Sequence, residues 1–111
     1  MRYMLLICHT EGEDVGPDDG TGMPIEQWVE EHDRRGVRLD GERLVDAADA
    51  TTVRVRGGEV LLTDGPFADT KERMVGYDIL ECANLDEAIE VAAKHPMARA
   101  GMVEVRPFWT A

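Results

Sequence analysis

Two groups in this chain have the side chains for proton chemistry: a histidine before a proline, and an aspartate opening a stiff turn. His95 precedes Pro96 at the end of a helical pattern, and an imidazole titrates in the range that general acid–base catalysis uses. The same position also suits a charged cap, since a helix C-terminus favours a cation by a few tenths to about 1 kcal/mol. Asp64 opens the run Asp64-Gly65-Pro66-Phe67. In such a turn the aspartate bonds to its own downstream backbone, the glycine supplies a positive φ and the proline fixes the next φ. Phe67 is then expected to anchor the loop in apolar surface, with Asp69 and Glu72 forming an acidic cap on a short helical turn. A carboxylate on so stiff a loop keeps its geometry without a moving lid. If Asp64 and His95 face one cleft, the carboxylate orients the imidazole and the two form an acid/base pair.

Other residues are candidates to hold a substrate around that pair. His9 follows the first apolar run and sits at the rim of the same mouth. Glu104 and Arg106 alternate with Val103 and Val105, so they share the opposite strand face. Arg106 can grip an acidic ligand through its guanidinium fork, or pair with Glu104 as a structural bridge between subunits. Phe67 adds an aromatic surface. Trp28 and His32 lie on one helical face and read as core, with His32 a satisfied interior histidine. Cys8 beside His9 lacks the further spaced ligands of a zinc site, so no metal is expected. The chain has no G-x-G-x-x-G, P-loop, Cys-x-x-Cys or nucleophile elbow. Gly12, Gly16, Gly20 and Gly22 lie in an acidic stretch that repels phosphate, so no nucleotide or other cofactor is expected.

The elements that must position these groups follow from periodicity. Residues 2–8 (RYMLLIC) form a short apolar run and read as a buried strand, followed by a Gly/Asp/Pro-rich loop over 9–22. Pro24 suits a first helical turn, and Ile25, Trp28, Val29 and His32 form one face of a helix that Gly36 closes. Residues 37–44 return as a strand containing a glycine. Residues 51–56 and 59–64 alternate with period two around Gly57-Gly58, which is a hairpin. Residues 73–82 form another strand. Asn84 caps a second helix whose shared face carries Leu85, Ile89 and Ala92, with Pro96 at its close. Residues 101–109 form the last strand. The order is β-α-β, hairpin, β-α-β, which predicts one ferredoxin-like α+β domain over residues 1–111 with both helices on one sheet face. The bare opposite face of that sheet would expose apolar side chains, so a homodimer with facing sheets is expected.

With 23 acidic and 12 basic residues in 111, the net charge is −11. That charge opposes binding to nucleic-acid backbones and to anionic membranes. Cys8 and Cys82 lie in apolar runs and read as reduced core thiols, although a bridge between neighbouring strands is open to them. The first apolar run is too short for a signal-peptide core, and no stretch reaches membrane-spanning length, so the cytosol is the expected compartment.

The segments MRYMLLI, ATTVR, LLTDGPFADTKE, GYDILE, LDEAIEVAAKHP and GMVEVRPFW together resemble the YCII-related, or DGPF-domain, proteins over nearly the whole chain. The resemblance implies a dimeric α+β barrel of ferredoxin-like subunits. It also implies a mostly uncharacterised family, often associated with sigma-factor-like regulators, with a distant branch of small enzymes. That branch includes a dehydrochlorinase acting on a chlorinated hydroxyquinol with a His–Asp pair. Asp64 to Phe67 match the family signature. His95-Pro96 stands where family members commonly carry His-Pro and the enzymatic branch tends to have Asp-Pro. The branch's histidine near the start of the first helix has no counterpart in MPIEQW, and His32 falls near the helix end. The expected role is therefore a small-ligand-binding or accessory protein taking an acidic or phenolic ligand in a cleft at the dimer's sheet interface. The alternative is a cofactor-independent lyase or dehydrochlorinase using His95 and Asp64.

Overall fold

The computed structural model describes residues 1–10, 23–67 and 72–110. Strand β1, Arg2–Thr10, alternates cleanly: Tyr3, Leu5 and Ile7 are buried, while Met4, Leu6 and Cys8 are half-buried. Helix α1, Ile25–Arg34, starts after Pro24 and stops where Gly36 turns to φ 70°, the left-handed backbone that glycine tolerates best. Strand β2 is Arg38–Arg43, and a 3₁₀ turn over Ala47–Asp49 follows. Strands β3, Thr51–Arg56, and β4, Glu59–Asp64, flank Gly57 and Gly58, whose φ values of 58° and 81° suit a two-residue hairpin turn. Strand β5 spans Glu72–Glu81. Helix α2, Leu85–Ala93, is capped by the Asn84 side chain, which accepts the Glu87 N–H at 3.0 Å. A short helix α3, Met97–Ala100, leads into strand β6, Met102–Pro107.

The four longer-range strands form one antiparallel sheet in the order β2-β5-β1-β6, and β3 and β4 form a separate ribbon. The main sheet with its connecting helices is ferredoxin-like, with the ribbon inserted between β2 and β5. One core joins Tyr3, Leu5 and Ile7 of β1 and Leu80 of β5 to Trp28 of α1 and Ala88, Val91 and Ala92 of α2. Both helices therefore cover the same sheet face. Met4, Leu6 and Cys8 point the other way, and pairing register puts Ile79, Tyr77 and Met102 beside them.

Several boundaries differ from the sequence expectation. Strand β1 runs on to Thr10, which puts His9 inside the strand; residues 11–22 of the expected loop lie outside the described residues. Helix α2 buries Ala88, Val91 and Ala92, leaving Leu85 and Ile89 half exposed. Small side chains let the helix lie close to the sheet, and the bulkier stripe is turned outward. Helix α2 ends at Ala93, ahead of Pro96 as expected, and Pro96 also opens α3, a position where its missing N–H is harmless. The last strand is shorter than residues 101–109, and Trp109 is exposed beyond it. Phe67 is 81% exposed and is not packed into the core formed by the described residues. Asp69 of the expected acidic cap lies outside the described residues, and Glu72 starts β5 opposite Thr10.

Both cysteines are free. Burial pushes the Cys82 thiol up to about 11, with Glu87 adding to the effect, and also raises Cys8. Both are thus protonated at neutral pH and poor nucleophiles.

Candidate functional site

A cleft of about 630 Å³ opens between α1, the start of α3 and the β1, β2 and β5 strands. Ile7, Ile25, Val29, Val75, Pro96 and Met97 form its apolar lining; His9, Arg38, Glu42, Arg43, Asp78 and His95 bring polar groups. An apolar hollow with a few convergent polar groups is the usual form of a small-molecule site. A shallower depression along α1 is lined by Ile25, Glu26, Val29, Glu30 and Asp33; its ionisable groups are all acidic.

His95 is set in the cleft by the corner between α2 and α3. Its Nδ1 accepts the Met97 N–H at 3.0 Å, so the imidazole caps the short helix that follows it. The ring meets Trp28 edge-on, with centroids 4.6 Å apart. Trp28 is itself fixed by an Nε1–H donated to the Val91 carbonyl at 2.9 Å. Burial, reinforced by nearby His32, lowers the His95 pKa to about 4. The ring is therefore neutral at pH 7. Because Nδ1 is occupied as an acceptor, the proton sits on Nε2. This corrects the reading of His95 as a cationic helix cap.

His32 lies on the other side of Trp28, with ring centroids 4.9 Å apart. Its Nδ1–H donates to the Trp28 carbonyl at 2.6 Å. Its Nε2 stands 3.4 Å from Glu31 Oε2, and neither of these buried atoms has a hydrogen-bond partner. His32 is thus an interior residue, as expected, with only one nitrogen satisfied. Burial lowers its pKa, against the opposing pull of the Trp28 carbonyl and Glu31.

The buried acid in the cleft wall is Asp78, whereas Glu42 at the same wall is exposed. Arg38 donates from Nε to Asp78 Oδ1 at 2.8 Å, from Nη1 to Asp33 Oδ1 at 3.0 Å and from Nη2 to the Gly41 carbonyl at 2.9 Å. Burial pushes the Asp78 carboxyl up, against the hydrogen bond and charge of Arg38. Burial also works to lower Arg38, but its bonds to Asp78 and Asp33 prevail and hold it above its ordinary value. The guanidinium and the carboxylate sit as a hydrogen-bonded pair in the cleft wall. Gly41 makes room for it, since a Cβ there would run into the Asp78 carboxylate.

Of the residues singled out from sequence, the cleft brings together His9 and His95. Asp64 ends β4 on the ribbon and Phe67 follows it; neither lines the cleft. Gly65, with φ 97°, accepts from Thr52 Oγ1 at 2.8 Å and donates its N–H to the Ala50 carbonyl at 2.7 Å. The turn thereby closes onto the foot of the ribbon. Glu104 and Arg106 pair with each other at 2.6 Å on the open sheet face. Sequence reasoning missed Asp78 and Arg38, although a signal was present. In GYDILEC, strand alternation puts Asp78 on the same side as Leu80 and Cys82, and an acid at a core position calls for a partner. Among the described residues, no group of three His, Cys, Asp or Glu side chains could hold a metal ion.

A fold of this kind with a cleft beside the helices belongs to a recognised class of small α+β domains. The chain is a member of the YCII-related domain family, whose model matches residues 1–110. It is also similar to an uncharacterised protein of Rhizobium meliloti (strain 1021), 45% identical over 67 residues. That match covers 59% of this chain and 54% of the relative, about half its length. No described helix is long and apolar enough to cross a membrane.

Proposed function

We propose that the chain is a small-molecule-binding member of its family, taking a compact acidic or phenolic ligand in the cleft beside His95. One observation carries this reading: the neutral, buried imidazole has Nδ1 committed to Met97 and keeps an Nε2–H to donate. Such a ring gives a hydrogen bond to a ligand oxygen, while the apolar lining holds the ligand's body. A ring of this kind is a poor base, because its lone pair is already used and its conjugate acid is too strong to form at neutral pH. This favours binding, in the accessory role that the family resemblance implies, over acid/base turnover. Asp64 does not line this cleft, so a His95–Asp64 pair has no support within it. In the same reading the protein is a homodimer, with the half-exposed Met4, Leu6, Ile79 and Met102 covered by a second sheet.

Phenol and benzoate serve as probes, with backbone NMR shifts as the readout. Saturable shifts are expected at His9, Gly76, Asp78, His95 and Met97. His95→Phe keeps the ring volume and removes the donor, and it is expected to weaken binding about tenfold, the worth of one hydrogen bond. Absence of saturable shifts with either probe, or unchanged affinity in a folded His95→Phe protein, would contradict the proposal.

A further inference from the structure

The cleft has two polar ends and an apolar middle. Strand β2 is an edge of the main sheet, and pairing register lines up Arg43 of β2, Gly76 of β5 and Ile7 of β1 in one row across it. The row lies on the helix-covered face: Ile7 belongs to the core, and Gly41, two residues before Arg43, meets the buried Asp78. Gly76 leaves the floor of that row bare. Its backbone lies outside the left-handed region, so no turn demands a glycine there. A Cβ at Gly76 would stand between its neighbours, 3.1 Å from the Glu42 carbonyl, 3.6 Å from Arg43 Cα and 3.8 Å from Ile7 Cβ. Val75, Ile25 and Val29 complete the apolar middle. Helix α3 packs against β1 and β6, which puts His95, just ahead of it, at the end of the cleft away from β2. With β5 between them, β1 and β2 stand about 10 Å apart.

The two arginines of the cleft are in different states. Each nitrogen of the Arg38 guanidinium already donates to the protein, to Asp78, Asp33 and the Gly41 carbonyl. Arg43 lines the same cleft, yet it makes no ion pair or side-chain hydrogen bond with any described residue. Glu42 beside it pairs in register with Tyr77, so strand alternation directs its side chain to the opposite face. In a chain of net charge −11, a guanidinium without a carboxylate at the mouth of a hollow is a place for an anion from outside.

We infer that Arg43 is the anion-binding end of the cleft, so that the ligand carries a carboxylate at one end of a small apolar body and a hydroxyl or carbonyl oxygen at the other, as a hydroxybenzoate does. The inference rests on the ligand-binding reading above and deepens it, by joining the acidic and the phenolic group in one molecule and giving each its own end. The guanidinium fork takes the carboxylate, the His95 Nε2–H meets the other oxygen, and the apolar middle covers the ring. Arg38 cannot take this part, since leaving Asp78 would strand a buried carboxylate.

Titrations of the full chain at pH 7 with 4-hydroxybenzoate, its uncharged analogue 4-hydroxybenzamide and phenol, followed by backbone NMR shifts, test this. The acid is expected to bind about tenfold more tightly than the amide, the worth of one charge-assisted hydrogen bond at a partly exposed site. Arg43→Gln, at an exposed position, is expected to abolish that difference and to leave phenol and the amide unchanged. His95→Phe is expected to weaken all three. If phenol binds but the acid is held no more tightly than the amide in the wild type, or if the difference survives in Arg43→Gln, the anion end is overturned and the ligand cleft stands. An Arg43→Gln protein that loses phenol as much as the acid also overturns it, by making Arg43 a structural residue. If none of the three probes gives saturable shifts, the inference and the reading beneath it both fall.

Discussion

His95 owes its chemistry to its neighbours. The Met97 amide takes one nitrogen, Trp28 closes on the ring edge, and burial removes the water that would stabilise a charge. The consequence reaches stability. In the unfolded chain the imidazole takes up a proton near pH 6.5; in the folded chain it resists protonation until about pH 4. Between those values the unfolded state binds more protons, so acidification favours unfolding. The neutral ring's contribution is intact above pH 6.5, and about 3 kcal/mol is lost by pH 4. His32, also lowered by burial, acts in the same direction. Asp78, raised by burial, acts the opposite way in the carboxylate range. Urea unfolding at pH 7 and pH 4.5 should show this loss in the wild type and a smaller one in His95→Gln. Equal pH dependence in the two proteins would contradict the burial of a neutral ring.

Helix α2 shows why an apolar stripe need not be the core stripe. LDEAIEVAA carries two apolar stripes; the sequence pointed to Leu85, Ile89 and Ala92, and close approach to the sheet buries Ala92 together with Ala88 and Val91. Val91→Ala opens a cavity in a fully buried site and is expected to cost about 1–3 kcal/mol. Ile89→Ala, at a half-exposed site, is expected to cost well under 1 kcal/mol. Chemical denaturation of the two variants measures the difference, and the reverse order would mean that α2 is rotated from the orientation described. The strands were easier to read. Period two in residues 51–56 and 59–64, split by Gly57-Gly58, located the ribbon to the residue. Its lack of cover could not be read there, because exposure depends on where the ribbon lands.

At the scale of the whole molecule, the alternation of strands and helices was enough to predict the ferredoxin-like sheet, and the DGPF run pointed to the family. The site was only half legible. His95 and His9 stand near element ends, where sequence reasoning looks for function, and both reached the cleft. Asp64 stood out because its turn is distinctive, yet that turn serves the ribbon's foot. Asp78 was hidden inside a strand, and its partner Arg38 lies 40 residues away in sequence, so the pair exists only once β2 and β5 align. Ligand binding and acid stability both depend on the state of one ring, that of His95. Nitrogen-resolved NMR of the His95 imidazole, followed from pH 8 to pH 3, reads that state directly. The expectation is a proton on Nε2 at neutral pH, with a midpoint of about 4. A proton on Nδ1, or a midpoint near the ordinary 6.5, would contradict it.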